Sequence, residues 1–213
     1  MNIAILGGTG KEGIGLATRW AMAGHSIIIG SRDEARAKAK AAELRDVTNK
    51  IAIIGHANGD AARLGEVVVL TLPASGLAAT LGDVVEACRG KVVVSTVVPL
   101  TFGGPRLFTP PPAGSSAEEV QGLLPDAKVV AAFHHIAAHE LSEADRAIEC
   151  DLLMCGHADG KEVVKALGAS LRLRAVDVGP LSNAGPLEGI TAVLATINRR
   201  YKLKDAGIVI TGL

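Results

Sequence analysis

The 213-residue chain has few aromatic side chains: one tryptophan, one tyrosine and three phenylalanines, together 2% of the sequence. Binding of single-stranded nucleic acid by ring stacking is therefore poorly supported. Lysine plus arginine equals aspartate plus glutamate at 22 each, and no run of about five or more basic residues occurs, so we expect no nucleic-acid partner. With 48% hydrophobic residues, the chain should fold around a sizeable core of Ala, Val, Ile and Leu rather than stay disordered.

The sequence also lacks long apolar runs, a leader and paired cysteines. No apolar stretch approaches the roughly 18 residues of a membrane span, so we expect no membrane partner. Met1 leads almost directly into the apolar run from Ile3, which leaves no room for a cationic signal peptide. The three cysteines are an odd number without a Cys-x-x-Cys pair, so reduced thiols in a cytoplasmic protein are the simplest interpretation.

Strand-like and helix-like segments alternate along the first two thirds of the chain. Short runs of Val and Ile predict strands at residues 3–6, 26–29, 51–54, 67–72, 91–95 and 128–133. Periodic segments predict helices at residues 14–23, 33–44, 77–88 and 117–124, the last capped by Ser116 with Glu119 three residues on. Such alternation is typical of βαβ units, so we predict an α/β fold with a Rossmann-type, doubly wound parallel sheet.

The C-terminal third continues this pattern less regularly. It predicts strands at residues 151–155 and 175–178 and helices at residues 161–171 and 187–201. We therefore expect a Rossmann domain over residues 1–145 and a small C-terminal α/β lobe over residues 146–213. Residues 99–114, which are rich in proline and glycine, predict either a functional loop or a rigid surface connection.

A glycine-rich turn separates the first predicted strand from the first helix. Gly8, Gly10 and Gly13 fit the G-x-G-x-x-G pattern, in which glycines allow a tight turn, close approach to a pyrophosphate and helix–strand packing. The start of the helix then offers free N–H groups to the phosphates. A P-loop is excluded because Glu12 occupies the position where Ser or Thr would bind magnesium. The turn therefore predicts a dinucleotide site.

The end of the second strand indicates which dinucleotide is bound. An acidic residue there would bind the ribose 2′-hydroxyl of NAD, but the sequence has Ser31 and Arg32, with Arg36 one helical turn later. Guanidinium groups form charged, often bidentate, hydrogen bonds with a phosphate. We therefore predict NADP and interpret Asp33 as the N-cap of the following helix.

The rest of the chain lacks common catalytic groups. The Tyr-Lys pair of short-chain dehydrogenases is absent, because Asp205 stands four residues after the only tyrosine, Tyr201. Hydride exchange between nicotinamide and another ring cofactor needs mainly stacking and orientation, so a planar redox cofactor is a plausible acceptor. The histidine-rich segment around His134 and His135 lacks the spacing of a zinc site, and we expect no metal.

Four motifs in one order carry a family resemblance: Gly7-Gly8-Thr9-Gly10, Gly30-Ser31-Arg32, Leu70-Thr71-Leu72-Pro73 and Gly179-Pro180-Leu181-Ser182-Asn183. Together they resemble the coenzyme F420-dependent NADP oxidoreductases over essentially the whole chain. The resemblance implies hydride transfer between NADP(H) and the deazaflavin coenzyme F420. It also implies a homodimer that buries C-terminal elements, although internal core packing of the last helix is the alternative.

The resemblance also assigns residues to each end of the cofactor site. It places Thr9, Ser31, Arg32 and Arg36 around the 2′-phosphate, and Gly10, Lys11 and Glu12 along the pyrophosphate. It places Leu72, Pro73, Val98 and Pro99 beside the nicotinamide, and His134, Ile136 and Ala138 in the deazaflavin pocket. For His134 alone, a hydrogen-bonded histidine at a strand end is the alternative interpretation.

The chain departs from the family pattern on the acceptor side, at Ala74, Ala137, Gly185 and Gly189. These small residues suggest an open, backbone-lined cleft. Two alternatives therefore stay open beside deazaflavin chemistry: an NADPH-dependent reductase of a flavin or another acceptor, and a non-catalytic NADPH sensor. A ring-sized cavity beside Pro73 and His134 would favour an enzyme over a sensor.

Overall fold

The computed structural model describes residues 1–50 and 52–213, which form eight strands and nine α-helices. The strands are β1 (Asn2–Leu6), β2 (Ser26–Ser31), β3 (Ile53–Ala57), β4 (Val67–Leu70), β5 (Val92–Ser95), β6 (Lys128–Ala132), β7 (Leu152–Gly156) and β8 (Ala175–Asp177). The helices are α1 (Lys11–Met22), α2 (Glu34–Thr48), α3 (Asn58–Leu64), α4 (Leu77–Leu81), α5 (Val85–Cys88), α6 (Ser116–Leu123), α7 (Ala138–Ser142), α8 (Ala158–Ser170) and α9 (Ala184–Tyr201).

All eight strands belong to one sheet with the order β3-β2-β1-β4-β5-β6-β7-β8. The first six strands are parallel, and β7 pairs antiparallel with β6 while β8 runs parallel to β7. The central strands are apolar on both faces because helices cover both sides of the sheet. The predicted Rossmann-type, doubly wound sheet is confirmed.

Two hydrophobic layers hold the helices on the sheet. One contains the buried faces of α1, α2 and α8 together with Leu141 of α7, and the other contains those of α3 to α6 and α9. Aromatic packing in the first layer is limited to one edge-on pair, Trp20 and Phe133, whose ring centroids lie 5.4 Å apart. The core is otherwise aliphatic, as the composition predicts. In the described part of the chain, no helix is long and apolar enough to cross a membrane.

The structure differs from the predicted elements where contacts between distant parts of the sequence determine the secondary structure. The helices α3 and α7 were not predicted, and the predicted helix over 77–88 is broken between Leu81 and Val85. The predicted start of the third strand at Ile51 lies outside the described residues. The predicted cap of α6 is wrong by one residue: Ser115 is the extended N-cap, its hydroxyl accepts from the Glu118 N–H, and it donates to the Glu118 carboxylate.

The short helix α7 is held by a buried arginine of α1. The Arg19 side chain is 7% exposed and donates to the carbonyl oxygens of Glu140, Leu141, Glu143 and Arg146 at 2.7–3.0 Å. These bonds fix the segment after β6 against α1. The strand β7 begins beside the end of β6 and therefore runs antiparallel to it.

Candidate functional site

The predicted site residues converge on the carboxyl edge of five adjacent parallel strands. The chain leaves β1 for α1 on one face of the sheet and leaves β4 for α4 on the other. This divergence between neighbouring strands forms a topological switch point, where open α/β sheets bind their ligands. Arg32 and Arg36 follow β2 at one end of this edge, and His134 follows β6 at the other.

The glycine turn is held by hydrogen bonds to β1 and β2 and by packing against Leu72 after β4. Gly7 makes the turn with a φ of +74°, a conformation that favours glycine. The Gly8 N–H donates to the carbonyl oxygen of Ile5 at 3.1 Å and to that of Gly30 at 3.0 Å. Leu72, after β4, lies against Gly7, since a Cβ added there would be 2.8 Å from its Cδ2. The turn is therefore fixed relative to the ends of β1, β2 and β4.

The three glycines of the motif differ in how much space a side chain would have at each position. A Cβ on Gly8 would lie 2.7 Å from the Ile5 carbonyl oxygen, and one on Gly13 would lie 2.7 Å from the Gly8 Cα. A Cβ on Gly10 would meet only the Gly7 carbonyl oxygen, at an ordinary 3.6 Å, and its φ of −80° suits any residue. Packing within the chain therefore explains why positions 8 and 13 are occupied by glycine. At position 10 the missing side chain instead leaves space for a ligand.

The first turn of α1 offers hydrogen-bond donors beside Gly10. Because the N-cap is glycine, no side chain caps the helix. Within residues 1–50 and 52–213, the backbone N–H groups of Lys11, Glu12 and Gly13 have no acceptor. Unpaired N–H groups and the helix dipole favour a negative charge here. Thr9, half-buried, precedes this cradle, which fits a pyrophosphate.

The end of β2 presents two free guanidinium groups. Ser31 is buried, and its hydroxyl accepts from the Asp33 N–H at 3.2 Å, while the Asp33 carboxylate accepts from the Arg36 N–H at 3.2 Å. The interpretation of Asp33 as an N-cap is confirmed. Arg32 and Arg36 are exposed, and among the described residues neither forms an ion pair. The arrangement fits a 2′-phosphate.

Threonines join the strand ends in the middle of the site. The Thr71 hydroxyl donates to the Leu6 carbonyl oxygen at 3.1 Å, and the Thr96 hydroxyl donates to that of Leu70 at 2.9 Å. These bonds align the segments that follow β4 and β5. The residues predicted beside the nicotinamide lie on those segments: Leu72, Val98 and Pro99 are half-buried, and Pro73 is exposed.

Glu12 is an unusual acid in this cradle. Its side chain faces Thr96, and its Oε1 atom is buried without a hydrogen-bond partner in the described part of the chain. Burial raises the pKa of the Glu12 carboxyl to about 8, opposed only by the Thr96 hydroxyl. The backbone N–H of Glu12 thus belongs to the phosphate cradle, whereas its carboxyl group lies between α1 and the end of β5.

A buried histidine follows β6 at the acceptor side. His134 is 6% exposed, and its two ring nitrogens are buried without partners among the described residues. Burial lowers the pKa of the ring to about 3, so the ring is neutral at physiological pH. The Thr191 hydroxyl of α9 donates to its carbonyl oxygen at 3.2 Å. Ile136 is buried beside it, and Ala138 begins α7.

Comparison with known proteins identifies the family. Residues 2–99 match the family model described as NADP oxidoreductase, coenzyme F420-dependent. The F420-dependent NADP reductase of Methanocaldococcus jannaschii is 40% identical over 222 aligned positions, covering 100% of this chain and 99% of the relative. The enzyme of the same name from Methanothermobacter marburgensis is 38% identical, with the same coverage. The chain belongs to the F420-dependent NADP oxidoreductase family.

The fold agrees with a solved structure attributed to this family. The crystal structure of a candidate F420-dependent NADP reductase from Arthrobacter sp. FB24 superposes with a TM-score of 0.85 at 26% identity. The superposition covers 98% of both chains. The resemblance inferred from the four motifs is therefore confirmed, and it extends across the whole chain.

Of the two small residues on α9 at which the chain departs from the family pattern, Gly185 has a packing reason. A Cβ on Gly185 would lie 2.9 Å from the Gly114 carbonyl oxygen, whereas one on Gly189 would meet the Phe108 ring at an ordinary contact distance of 3.6 Å. Between them, the buried Glu188 carboxylate accepts from the N–H groups of Ser116 and Ala117 at 3.0 Å. The absent side chain at Gly185 therefore makes room for the end of the 99–114 segment.

Sequence reasoning missed the threonines and the burial of Glu12. A signal was available for the threonines, because Thr71 and Thr96 each follow a four-residue strand. The hydroxyl residue after such a run marks the carboxyl end of a buried strand. The burial of Glu12 had no local signal, because it results from the approach of β5 to α1. No group of three His, Cys, Asp or Glu side chains that could hold a metal occurs among the described residues.

The steric difference between the motif glycines predicts separable effects of substitution. Gly10→Ala should leave the thermal unfolding temperature unchanged but weaken NADPH binding by about one to two orders of magnitude, because its methyl group would displace charge-assisted hydrogen bonds. Gly8→Ala should instead destabilise the fold by about 1–3 kcal/mol through overpacking against Ile5. Thermal denaturation and NADPH titration of both variants measure this. Normal NADPH binding by Gly10→Ala would contradict the assignment of the cradle.

Proposed function

We propose that the protein transfers a hydride reversibly between NADP(H) and the deazaflavin coenzyme F420. The observation that carries the proposal is the space at Gly10 beside three N–H groups of the first turn of α1, which have no acceptor among the described residues. Arg32 and Arg36, which form no ion pair in residues 1–50 and 52–213, supply the charge expected for the NADP phosphate. Membership of the family and the names of its relatives support coenzyme F420 as the second ligand.

When bound, the two cofactors supply the redox chemistry: reduced nicotinamide gives up a hydride, and the deazaflavin ring accepts it together with a proton. The chain contributes binding and orientation. The start of α1 holds the pyrophosphate, and Ser31, Arg32 and Arg36 hold the 2′-phosphate. The apolar segments with Leu72, Pro73, Val98 and Pro99 would exclude water from the reacting rings.

The acceptor side of the cleft is assigned to His134, Ile136 and Ala138. The His134 ring is buried and neutral, so it introduces no charge on the acceptor side. Its backbone carbonyl oxygen accepts from the Thr191 hydroxyl, which joins the end of β6 to α9.

Assembly and location are further parts of the proposal. Exposed apolar side chains on α9 and the C-terminal tail, among them Val193, Tyr201 and Leu213, support a homodimer that buries them. The mass of the protein in solution, measured by light scattering, tests this, and a monomer would refute it.

The three buried free thiols support a cytoplasmic location. We retain the division into an NADP-binding domain (1–145) and a lobe (146–213) that contributes to the acceptor pocket and the dimer contact.

A direct assay tests the proposed acceptor. The protein is mixed with NADPH and separately with coenzyme F420, FMN, FAD or no acceptor, while the nicotinamide absorbance is followed. We expect rapid oxidation of NADPH only with coenzyme F420, since the relatives at 40% and 38% identity are F420-dependent NADP reductases. Turnover with FMN or FAD alone would identify a flavin reductase. NADPH binding without turnover on any acceptor would identify a sensor.

A charge deletion tests the choice of dinucleotide. Arg32→Ala should weaken NADPH binding at least about tenfold, the loss expected for one charge-assisted hydrogen bond, while NADH binding changes little. Binding of both dinucleotides to wild type and variant is measured by calorimetry. Lys165→Ala, which removes an exposed charge on α8, is the matched control and should change neither affinity. Equal losses for NADPH and NADH would refute a role of Arg32 at the 2′-phosphate.

A further inference from the structure

Glu12 places an acid inside a site built for an anion. It lies in the first turn of α1, where its own N–H group and those of Lys11 and Gly13 have no acceptor among the residues that the structure describes. Glu12 is half-buried, and its Oε1 atom is buried without a partner in the described part of the chain. An ionised carboxylate there would leave this oxygen without a hydrogen-bond donor and would repel the phosphates of a dinucleotide. The geometry therefore disfavours the charged form twice, once through burial and once through the ligand.

The surroundings of Glu12 provide no compensating cation. Lys11 is exposed, and Arg19 of the same helix is committed to carbonyl oxygens of the segment that contains α7. On α7 itself, His139 is exposed and Glu140 accepts from the Glu149 N–H. Burial and the Thr96 hydroxyl are the influences that act on the Glu12 pKa, and no charged neighbour among the described residues contributes.

The Thr96 hydroxyl lowers the Glu12 pKa only in part, and it has little to offer an ionised Glu12. A threonine hydroxyl has one proton to donate, and Thr96 donates it to the Leu70 carbonyl oxygen at 2.9 Å. A protonated Glu12, by contrast, carries a donor of its own. The phosphate, ribose and carboxamide oxygens of a dinucleotide are acceptors for such a donor.

From this geometry we infer that Glu12 is a binding residue for NADP(H) that acts as a neutral acid, so that dinucleotide binding keeps or adds a proton on its carboxyl group. The inference rests on the proposed NADP site and adds a proton to its binding equilibrium. The neutral carboxyl group donates a hydrogen bond to an oxygen of the dinucleotide. Glu12 is thus a positioning residue whose protonation state sets cofactor affinity.

The sign of the pH dependence follows from linkage. In the free protein Glu12 is mostly neutral below its pKa of about 8 and ionised above it. Bound phosphates raise this pKa further, so the complex holds a proton that the free protein has lost at alkaline pH. NADPH affinity should therefore be level in neutral solution and fall by up to about tenfold per pH unit above pH 8.

Calorimetry measures this proton directly. NADPH is titrated into the protein at about pH 7 and about pH 9, each in two buffers of different ionisation enthalpy, so that the difference in heat gives the protons taken up. Wild type and the surface control Glu162→Gln should take up little at the lower pH and close to one proton at the higher pH. Glu12→Gln, which keeps a donor without an acid, should take up none and bind NADPH equally at both pH values.

Two further readouts separate binding from folding. Glu12→Leu, which has no donor, should bind NADPH about tenfold more weakly than Glu12→Gln at pH 7. Thermal unfolding without ligand should show Glu12→Gln more stable than wild type near pH 8 but not near pH 4. In wild type the unfolded Glu12 ionises above its ordinary value of 4.5 while the folded group stays protonated up to about 8.

The outcomes distinguish this inference from the proposed function. NADPH binding by wild type without proton uptake at about pH 9, or with equal uptake by Glu12→Gln, would overturn the role of Glu12 and leave the NADP site standing. Failure of wild type to bind NADPH at any pH would overturn both. The wild-type measurement alone decides the proton uptake, so it does not depend on whether a variant folds.

Discussion

The close approach of the glycine turn to β1 is the constraint on which the rest of the site depends. The space between Gly8 and the Ile5 carbonyl oxygen is too small for a side chain, and the Gly8 N–H is shared with Gly30 at the end of β2. One turn therefore fixes the start of α1 relative to the strand that carries the two arginines. The start of α1, proposed to hold the pyrophosphate, and the side chains proposed to hold the 2′-phosphate are positioned by the same few contacts, so we treat them as one proposed binding unit.

The parts of the structure that were predictable are those whose contacts are local. The strand–turn–helix that carries the glycines, the Asp33 cap and the buried parallel strands all follow from residues a few positions apart. The placement of α7 against α1 follows instead from Arg19, which binds carbonyl oxygens 121 to 127 residues away. The predicted N-cap of α6, Ser116, is wrong by one residue because a distant side chain takes part. Glu188, 72 residues away, accepts the Ser116 N–H, so the helix can begin at Ser116 with Ser115 as its cap.

The last helix links the variable segment to the acceptor side. The Glu188 carboxylate accepts hydrogen bonds from the start of α6, and the Thr191 hydroxyl donates to the His134 carbonyl oxygen. Gly185 lies against the Gly114 carbonyl oxygen, and Gly189 lies against the Phe108 ring. Residues 99–114 and His134 are therefore attached to the same rigid element. A side chain at Gly185 would push the end of this segment away from the helix, because its Cβ would lie 2.9 Å from the Gly114 carbonyl oxygen. The residue at this position of α9 and the path of the segment therefore depend on each other.

Burial shifts the pKa values of His134 and Glu12 in opposite directions, but the result is the same for both groups. It lowers the pKa of the His134 imidazole and raises that of the Glu12 carboxyl, so both are mostly neutral at physiological pH. A buried fixed charge near the rings would favour one of the two bound redox states, because oxidation of reduced nicotinamide creates a positive charge on its ring. The cations at the proposed phosphate sites, Lys11, Arg32 and Arg36, are instead exposed to solvent. Neutral groups in the cleft would therefore leave the relative energies of the bound redox states to the cofactors themselves.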